Sequence, residues 1–288
     1  MSSSIQGLLD IFNLEELELN LFRGQSPRTG LQRVFGGQVI GQALTAAQRT
    51  VESGRWVHSL HCYFILGGDP EIPILYEVKR TRDGSSFSTR SVVAIQHGRP
   101  IFSLMASFQK DEVGLDHQIT MPEGVPTPEE LPERLELIEA IKRHMPDTLR
   151  AFWQKQTLVD VRPTGIEHYT TRDKLPPVQH VWMRITEKLP DDRALNAAIL
   201  AYLSDMTLLD ASTYAHGKTL FDADIQSASL DHAMWFHRPF DLNEWLLYTQ
   251  DSPSSQGSRG LSRGSIYTMD GVLVASVAQE GLLRLRTK

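Results

Sequence analysis

The chain has 288 residues, 41% of them hydrophobic and 22% charged, so it can bury a core and lacks a disordered composition. Its 29 basic and 35 acidic residues give a net charge of −6, which argues against a general nucleic-acid-binding protein. The single cysteine, Cys62, excludes an internal disulfide and favours a reducing compartment. Neither a secretory signal nor a membrane-spanning segment is recognisable, so we expect a cytoplasmic protein with no membrane span.

The first predicted element is a helix from Gly37 to Val51, where apolar residues recur at helical intervals. A polar strand, Ser59–Phe64, follows it. Further extended segments lead to Gln109 through a hairpin turn at His97-Gly98. The first part of the chain therefore has the pattern of one helix followed by several antiparallel strands.

Residues 110–156 differ in composition from both flanks, with many acidic residues and five prolines. Within this stretch, the apolar spacing from Glu129 to His144 predicts an amphipathic helix. We interpret the stretch as a linker that carries a surface helix. It divides the chain into residues 1–109, the linker 110–156, and residues 157–288.

The second part repeats the pattern of the first. Residues 194–209 predict a helix that is apolar nearly all round and is therefore buried. The segment Ser229–Phe240 is strand-like but unusually polar, and Ser229 lies 50 residues before Gln279, as Ser59 lies 50 residues before Gln109. The second hairpin turn, Asp270-Gly271, is offset from the first, so the repeat is imperfect. One buried helix and an antiparallel strand set in each part indicate an α+β fold.

Several familiar site motifs are excluded by their context. Gly260–Gly264 matches G-x-S-x-G, but a strand follows it and no histidine comes after Ser262, so we interpret the match as accidental. His232 and His237 lack metal-ligand spacing and are better explained as structural or edge histidines. We expect neither a metal nor a cofactor.

Asp205 is the most informative polar residue, because it falls within the predicted buried helix. A buried carboxylate loses hydration and needs compensating partners. Two explanations stay open from the residues alone: an aspartate satisfied by backbone amides or an arginine, or a general base that activates water.

Four segments together resemble the acyl-CoA thioesterase II family: VFGGQVIGQAL, RTRDGSSFSTRSVVAIQHGRPIFSLMASFQ, SLDHAMWFHRPFDLNEWLLY and GVLVASVAQEG. The resemblance implies a tandem, or double, hotdog fold, in which two antiparallel sheets each wrap a long helix. It also implies the catalytic set Asp205, Ser229 and Gln279, with serine where the family usually has threonine. Ser59 and Gln109 would be relics of a duplication, and only the second part would be catalytic.

The implied activity is hydrolysis of medium- to long-chain fatty acyl-CoA to free fatty acid and CoA. Asp205 would take a proton from a water that Ser229 and Gln279 orient, with no covalent intermediate. The alternatives are a non-catalytic acyl-CoA-binding module and a double-hotdog enoyl-CoA hydratase, whose Gly-Asp-x-Asn-Pro-Leu-His signature is missing.

Substrate-binding candidates follow from the two ends of acyl-CoA. Arginines suited to the phosphates flank the matching strands, although surface arginine is the simpler explanation for each: Arg90, Arg238, Arg259 and Arg263. An aromatic run could line an acyl tunnel or fill the core: Met234, Trp235 and Phe236. We also expect a homo-oligomer, a dimer or tetramer, because exposed sheet edges in such folds pair with another copy.

Overall fold

A computed structural model describes residues 4–27, 32–145, 150 and 158–286. Its helices are α1 (Ile5–Phe12), α2 (Gly36–Gln48), α3 (Arg134–Ile141), α4 (Glu167–Thr170), α5 (Arg193–Ser204) and α6 (Ala211–Tyr214). Its strands are β1 (Glu15–Glu18), β2 (Leu21–Gly24), β3 (Arg55–Phe64), β4 (Ile74–Asp83), β5 (Phe87–Gln96), β6 (Arg99–Lys110), β7 (Val159–Pro163), β8 (Val178–Ile185), β9 (Ile225–Ser229), β10 (Asp231–Phe236), β11 (Leu246–Gln256), β12 (Arg259–Thr268) and β13 (Leu273–Leu285). No helix in these described ranges is long and apolar enough to cross a bilayer.

The strands form one antiparallel sheet in the order β1-β2-β4-β5-β6-β3-β10-β13-β12-β11-β8-β7, and β9 also pairs with β13. The two strand sets expected from the sequence meet at the β3–β10 pair, where Cys62 lies opposite His232. They are therefore joined in a single continuous sheet, which differs from the expectation of two separate sheets. Main-chain hydrogen bonds between β3 and β10 satisfy two strands that would otherwise be exposed edges.

Helices α2 and α5 pack against each other, and α2 also packs on strands β3 to β6. Ile40 and Leu44 of α2 are fully buried, as are Ile199 and Leu200 of α5. The predicted helix 37–51 is confirmed with slightly different ends. The helix predicted over 194–209 is five residues too long at its C-terminus, because α5 ends at Ser204 and turns follow.

The linker helix is shorter than expected. Helix α3 spans only Arg134–Ile141 and is flanked by 3₁₀ turns at Pro128–Glu130 and Lys142–His144. Pro132 disfavours a helical conformation at the preceding residue, which interrupts the predicted helix near its start. The end of the predicted linker, at residues 146–149 and 151–156, lies outside the described residues.

Both predicted hairpin turns are present. His97 and Gly98 have φ of 50° and 69° between β5 and β6, and Gly271 has φ of 85° between β12 and β13. The predicted strand 229–240 is interrupted, since β9 ends at Ser229 and β10 covers only Asp231–Phe236. This interruption lets β9 and β10 both pair with one side of β13.

Candidate active site

Asp205 is the residue that ends helix α5, and its carboxyl group faces the start of α2. The backbone N–H of Gly37 donates a hydrogen bond to it. A Cβ at Gly36 would lie 2.6 Å from Asp205 Oδ2, and a Cβ at Gly37 would lie 2.3 Å from the Tyr202 carbonyl oxygen. Only glycines at both positions allow α2 to approach the aspartate this closely.

Ser229 and Gln279 come together because β9 pairs with β13 in a definite register. Ser229 lies opposite Gly281, which places it diagonally across from Gln279 on the same face. Ser229 Oγ donates to Asp205 Oδ1 at 3.2 Å, and Gln279 Nε2 donates to Ser229 Oγ at 3.0 Å. The structure thus brings together the three residues that the resemblance singles out.

His232 extends this cluster into the core. It is 1% exposed, and its Nδ1 lies 2.6 Å from Gln279 Oε1 while its Nε2 lies 2.9 Å from Ser204 Oγ. The amide of Gln279 donates through Nε2, so its oxygen accepts, and His232 must carry its proton on Nδ1. Burial lowers the pKa of His232 to about 4, which keeps the imidazole neutral above that pH. The donors therefore run in one direction, from His232 through Gln279 and Ser229 to Asp205.

Two opposing effects set the charge of Asp205. Burial raises the pKa of its carboxyl from 3.8 to about 6, against the lowering by hydrogen bonds from Gln279, Ser229 and the Gly37 N–H. Its place at the C-terminus of α5 also disfavours a negative charge, whereas the N-terminus of α2 favours one. Asp205 is consequently ionised at neutral pH but is far more basic than an exposed aspartate. This is the protonation behaviour expected of a general base.

A cavity of about 540 Å³ opens at these residues. It is lined by Gln32, Arg33, Val34, Phe35, Gly36, Asp205, Met206, Thr207, Leu209, Leu220, Ile225, Gln226, Ser227, Ala228, Ser229, Gln279 and Arg286. The lining combines apolar side chains with one carboxylate and two guanidinium groups. A ligand with an apolar part and an anionic part fits this composition.

The four arginines expected to contact substrate do not line this cavity. Arg90 is 1% exposed, and its guanidinium donates to Thr50 and to Asp83, which it contacts at 2.7 Å. It holds the first part of the chain together, and we withdraw it as a substrate contact. The other three also lie in ion pairs: Arg238 with Asp116, Arg259 with Glu280, and Arg263 with Asp251.

The aromatic run of β10 is likewise placed elsewhere. Met234 is fully buried in the main core, because alternate residues of β10 face the helices. Trp235 and Phe236 line two other cavities, of about 570 and 510 Å³. The expected role of these three residues in an acyl tunnel is therefore not supported by their positions.

The first-half positions Ser59 and Gln109 do not form a second cluster. Ser59 lies opposite Ser107, whereas Gln109 lies opposite Trp56 and donates to Glu112 at 3.1 Å. The equal spacing of 50 residues therefore does not mark equivalent positions. The reason is the offset hairpin, since Gln109 lies three residues further from its turn than Gln279 does.

Four residues of the site were missed by sequence reasoning: Gly37, His232, Arg33 and Arg286. The Gly36-Gly37 pair is visible in the sequence, but nothing local to it indicates that Asp205 approaches it. His232 was visible beside Asp231 in the polar strand, but no sequence signal places it opposite Gln279. The predicted G-x-S-x-G exclusion is confirmed, because that segment lies within β12.

Comparisons with known proteins match both parts of the chain. Residues 151–282 match a family model described as acyl-CoA thioesterase, and residues 24–109 match one described as acyl-CoA thioesterase N-terminal domain. Acyl-coenzyme A thioesterase 8 of Homo sapiens is 40% identical over 287 residues, covering 96% of this chain and 88% of that protein.

Solved structures give the same result. The acyl-CoA thioesterase II TesB2 of Mycobacterium marinum superposes with a TM-score of 0.80 at 44% identity, covering 97% of this chain and 99% of that chain. A hot dog-fold protein of Alicyclobacillus acidocaldarius, at 18% identity and TM-score 0.78, covers 98% of this chain and 99% of that chain. That likeness shows the fold alone, and it confirms a hotdog fold. By family model, relatives and structure together, the chain belongs to the acyl-CoA thioesterase II family of thioester hydrolases.

Proposed function

We propose that this protein hydrolyses fatty acyl-CoA to free fatty acid and CoA at the cavity that contains Asp205, Ser229 and Gln279. The observation that carries the proposal is the hydrogen-bonded cluster of these three side chains at the wall of a partly apolar cavity. A carboxylate with a raised pKa, held beside two neutral polar groups, is suited to activate one water.

The proposed hydrolysis requires only the thioester, one water and the three polar side chains of the site. The oxygen of a water held by Ser229 and Gln279 bonds to the thioester carbonyl carbon as one water proton passes to Asp205. The tetrahedral intermediate then expels the sulfur with its electron pair as the C–S bond breaks. Asp205 returns the proton to the departing thiolate. The products are a carboxylic acid and the free thiol.

The negative oxygen of the intermediate needs hydrogen-bond donors. The first turn of α2 is the best-placed source, because its N-cap residue, Phe35, makes no side-chain cap hydrogen bond. Phe35 and Gly36 both line the cavity beside Asp205. The helix dipole adds a partial positive charge at the same point.

The acyl chain would lie against the apolar part of the cavity lining. That part comes from three regions: the segment before α2, the turns after α5, and the start of β9. Its members are Val34, Phe35, Met206, Leu209, Leu220, Ile225 and Ala228. Such a surface favours medium- to long-chain fatty acyl groups over acetyl groups, since each buried CH₂ contributes about 0.8 kcal/mol.

We further propose the finer architecture of a double hotdog, with residues 1–109 and 157–288 as two units and residues 110–156 as the linker. The packing of α2 against α5 and the joining of both strand sets through β3 and β10 support this division. In this arrangement the second unit supplies the three polar side chains, and the first supplies the Gly37 donor.

A homo-oligomer, a dimer or tetramer, remains part of the proposal, but through a sheet face and not an edge. Edge strand β1 carries Glu15, Glu16 and Glu18, which discourage edge pairing. By contrast, Tyr63, Met105 and Trp235 are 66%, 50% and 37% exposed on the neighbouring central strands β3, β6 and β10.

We also retain the cytoplasmic location as a proposal, in keeping with a single cysteine.

The deciding experiment measures thiol release from acyl-CoAs of increasing chain length by wild type and Asp205→Asn. General-base loss is expected to lower kcat by about 10²- to 10⁴-fold. Asp210→Asn serves as the matched control, because Asp210 is a buried aspartate on the same segment but does not line the cavity. Near-normal turnover by Asp205→Asn would remove Asp205 from the mechanism. Binding of acyl-CoA without thiol release by wild type would instead indicate a binding module.

A further inference from the structure

The cavity at Asp205 has a positively charged rim that the proposed chemical step does not use. Among the described residues that line it, Arg33 and Arg286 are the only basic ones, and Asp205 is the only acidic one. Arg33 comes from the segment before α2, and Arg286 follows β13. Two guanidinium groups from opposite ends of a chain with net charge −6 therefore meet at one opening.

These two arginines differ from the four that the sequence suggested. Arg90, Arg238, Arg259 and Arg263 each contact a carboxylate of the protein. No side-chain ion pair or hydrogen bond of Arg33 or Arg286 occurs within the described part of the chain, and both residues are exposed. Since a guanidinium remains charged in proteins, both are available to an external anion.

The path of the Arg33 side chain is constrained by the protein. Its stem lies against Gly67, where a Cβ would be 2.9 Å from Arg33 Cδ and 3.1 Å from Nε. Any larger residue at position 67 would displace the arginine. Arg33 also lies only four positions before Gly37, whose N–H binds Asp205. An anion that Arg33 binds would therefore be held at a defined position relative to the Asp205 carboxylate.

We propose that Arg33 and Arg286 bind the phosphate groups of the coenzyme A portion of the substrate, and so direct the thioester towards Asp205. The inference rests on the proposed acyl-CoA hydrolysis. Guanidinium groups match phosphate oxygens with paired, charge-assisted hydrogen bonds, which lysine or neutral donors do not reproduce. The apolar lining takes the acyl chain, and the charged rim takes the other end of the molecule.

The test compares acyl-CoA with the matching acyl-pantetheine, a thioester that lacks the phosphates. Arg33→Ala and Arg286→Ala are each expected to raise KM for acyl-CoA about 10- to 150-fold, the usual contribution of one charge-assisted hydrogen bond. We expect kcat for acyl-CoA and both constants for acyl-pantetheine to stay within twofold. Arg80→Ala is the matched control, since Arg80 is exposed on β4 and contacts Asn20.

Two results would overturn the proposal. Equal losses with acyl-CoA and acyl-pantetheine would mean that the arginines shape the cavity and do not bind phosphate. Unchanged KM in both variants would mean that they do neither. Where KM does rise, acyl-dephospho-CoA, which lacks only the 3′-phosphate, shows which phosphate the arginine binds. A variant that has lost the 3′-phosphate contact should have the same KM for acyl-dephospho-CoA and for acyl-CoA.

A failure of the proposed hydrolysis is detected separately. The hydrolysis proposal fails if wild type hydrolyses neither thioester or if Asp205→Asn keeps full turnover. Phosphate binding by the two arginines can still be tested in that case, by calorimetric titration of wild type and of Arg33→Ala/Arg286→Ala with coenzyme A. Loss of binding in the double variant would support the phosphate site without the hydrolase. Equal affinity of both proteins for coenzyme A would overturn it.

Discussion

The two long helices end in opposite ways, although they pack against each other and each belongs to one half of the molecule. Helix α2 is followed by Arg49, whose guanidinium donates to the carbonyl oxygens of Leu14 and Phe12. Helix α5 is followed by Asp205. A cation at a helix C-terminus is stabilising, whereas a carboxylate there is not. The first half has the stable arrangement, and the second has one that raises the basicity of a carboxylate beside a cavity.

The two halves also differ at the centre of the sheet, where their strands meet. Cys62 and His232 lie opposite each other in the β3–β10 pair, and both are buried. Cys62 Sγ only contacts the His232 carbonyl oxygen at 3.2 Å, whereas the His232 ring connects Ser204 to Gln279. Two residues that face each other across one strand pair thus differ in role, since one packs in the core and the other belongs to a polar network. Local side-chain chemistry, more than the backbone, distinguishes the halves.

The largest expected effect comes from removing the two polar side chains of the second half, and the matching change in the first half should have almost none. Ser229→Ala/Gln279→Ala should lower kcat at least about 100-fold, because donors at a reacting centre are worth that much or more. Ser59→Ala/Gln109→Ala should leave kcat within twofold, since these residues are not hydrogen-bonded to each other. Steady-state thiol release by both variants measures the difference. Comparable losses in the two would contradict a catalytic role confined to the second half.

The pH dependence should reveal the raised pKa of Asp205. Its carboxyl must be ionised to accept a proton, so kcat/KM is expected to fall tenfold per pH unit below about 6 and to level off above it. His232, with a pKa lowered to about 4, should not contribute to this limb. A pH–rate profile between pH 4.5 and 8.5 checks the prediction. A limb centred near 4 would show that Asp205 titrates like an exposed aspartate.

His232 should affect turnover less than Gln279, because it acts through Gln279 and not on the substrate. His232→Leu leaves Gln279 Oε1 without its donor, and we expect kcat to fall about tenfold with KM unchanged. His232→Asn, whose amide can donate to the same oxygen, should recover part of the loss. Cys62→Ala is the matched control on the opposite strand and should keep kcat within twofold. A rise in KM alone would exclude the positioning role.

Asp210 allows a comparison with Asp205 within one segment, because both carboxyl groups have a raised pKa. Burial raises the pKa of its carboxyl to about 7, with one lowering hydrogen bond from Tyr169, which donates at 2.9 Å. Between pH 4 and 7 the native state therefore retains a proton that the unfolded chain has lost, so stability falls as pH rises through this window. Asp210→Asn should be more stable than wild type by about 1–3 kcal/mol at pH 8, with equal stability below pH 4.

Urea unfolding at pH 4 and pH 8 measures this difference, and thiol release measures the activity of the same variant. We expect Asp210→Asn to keep turnover within twofold, because Asp210 does not line the cavity. A stability gain that is independent of pH would show that the carboxyl is not the source.

Much of the fold was predictable because it depends on local patterns. The apolar period around Ile40 and Leu44 predicted α2, and the His97-Gly98 and Asp270-Gly271 turns predicted the hairpins. Element ends were less predictable. Helix α5 ends at Ser204, and Asp205 then accepts a hydrogen bond from the Gly37 N–H, which is 168 positions away in the chain. No residue between 205 and 209 signals that stop in the sequence.

The sequence by itself predicted the α+β class and the helix and strand periodicities, and its family motifs singled out Asp205, Ser229 and Gln279 as the proposed catalytic set. Only the tertiary structure decided which polar side chains meet. Arg238 was a candidate phosphate contact from the sequence but pairs with Asp116, which lies 122 positions away, whereas Arg33 and Arg286 stay unpaired among the described residues and line one cavity. Side-chain periodicity is a local property of the chain, but ion pairing and cross-strand register depend on residues that only the folded chain brings together.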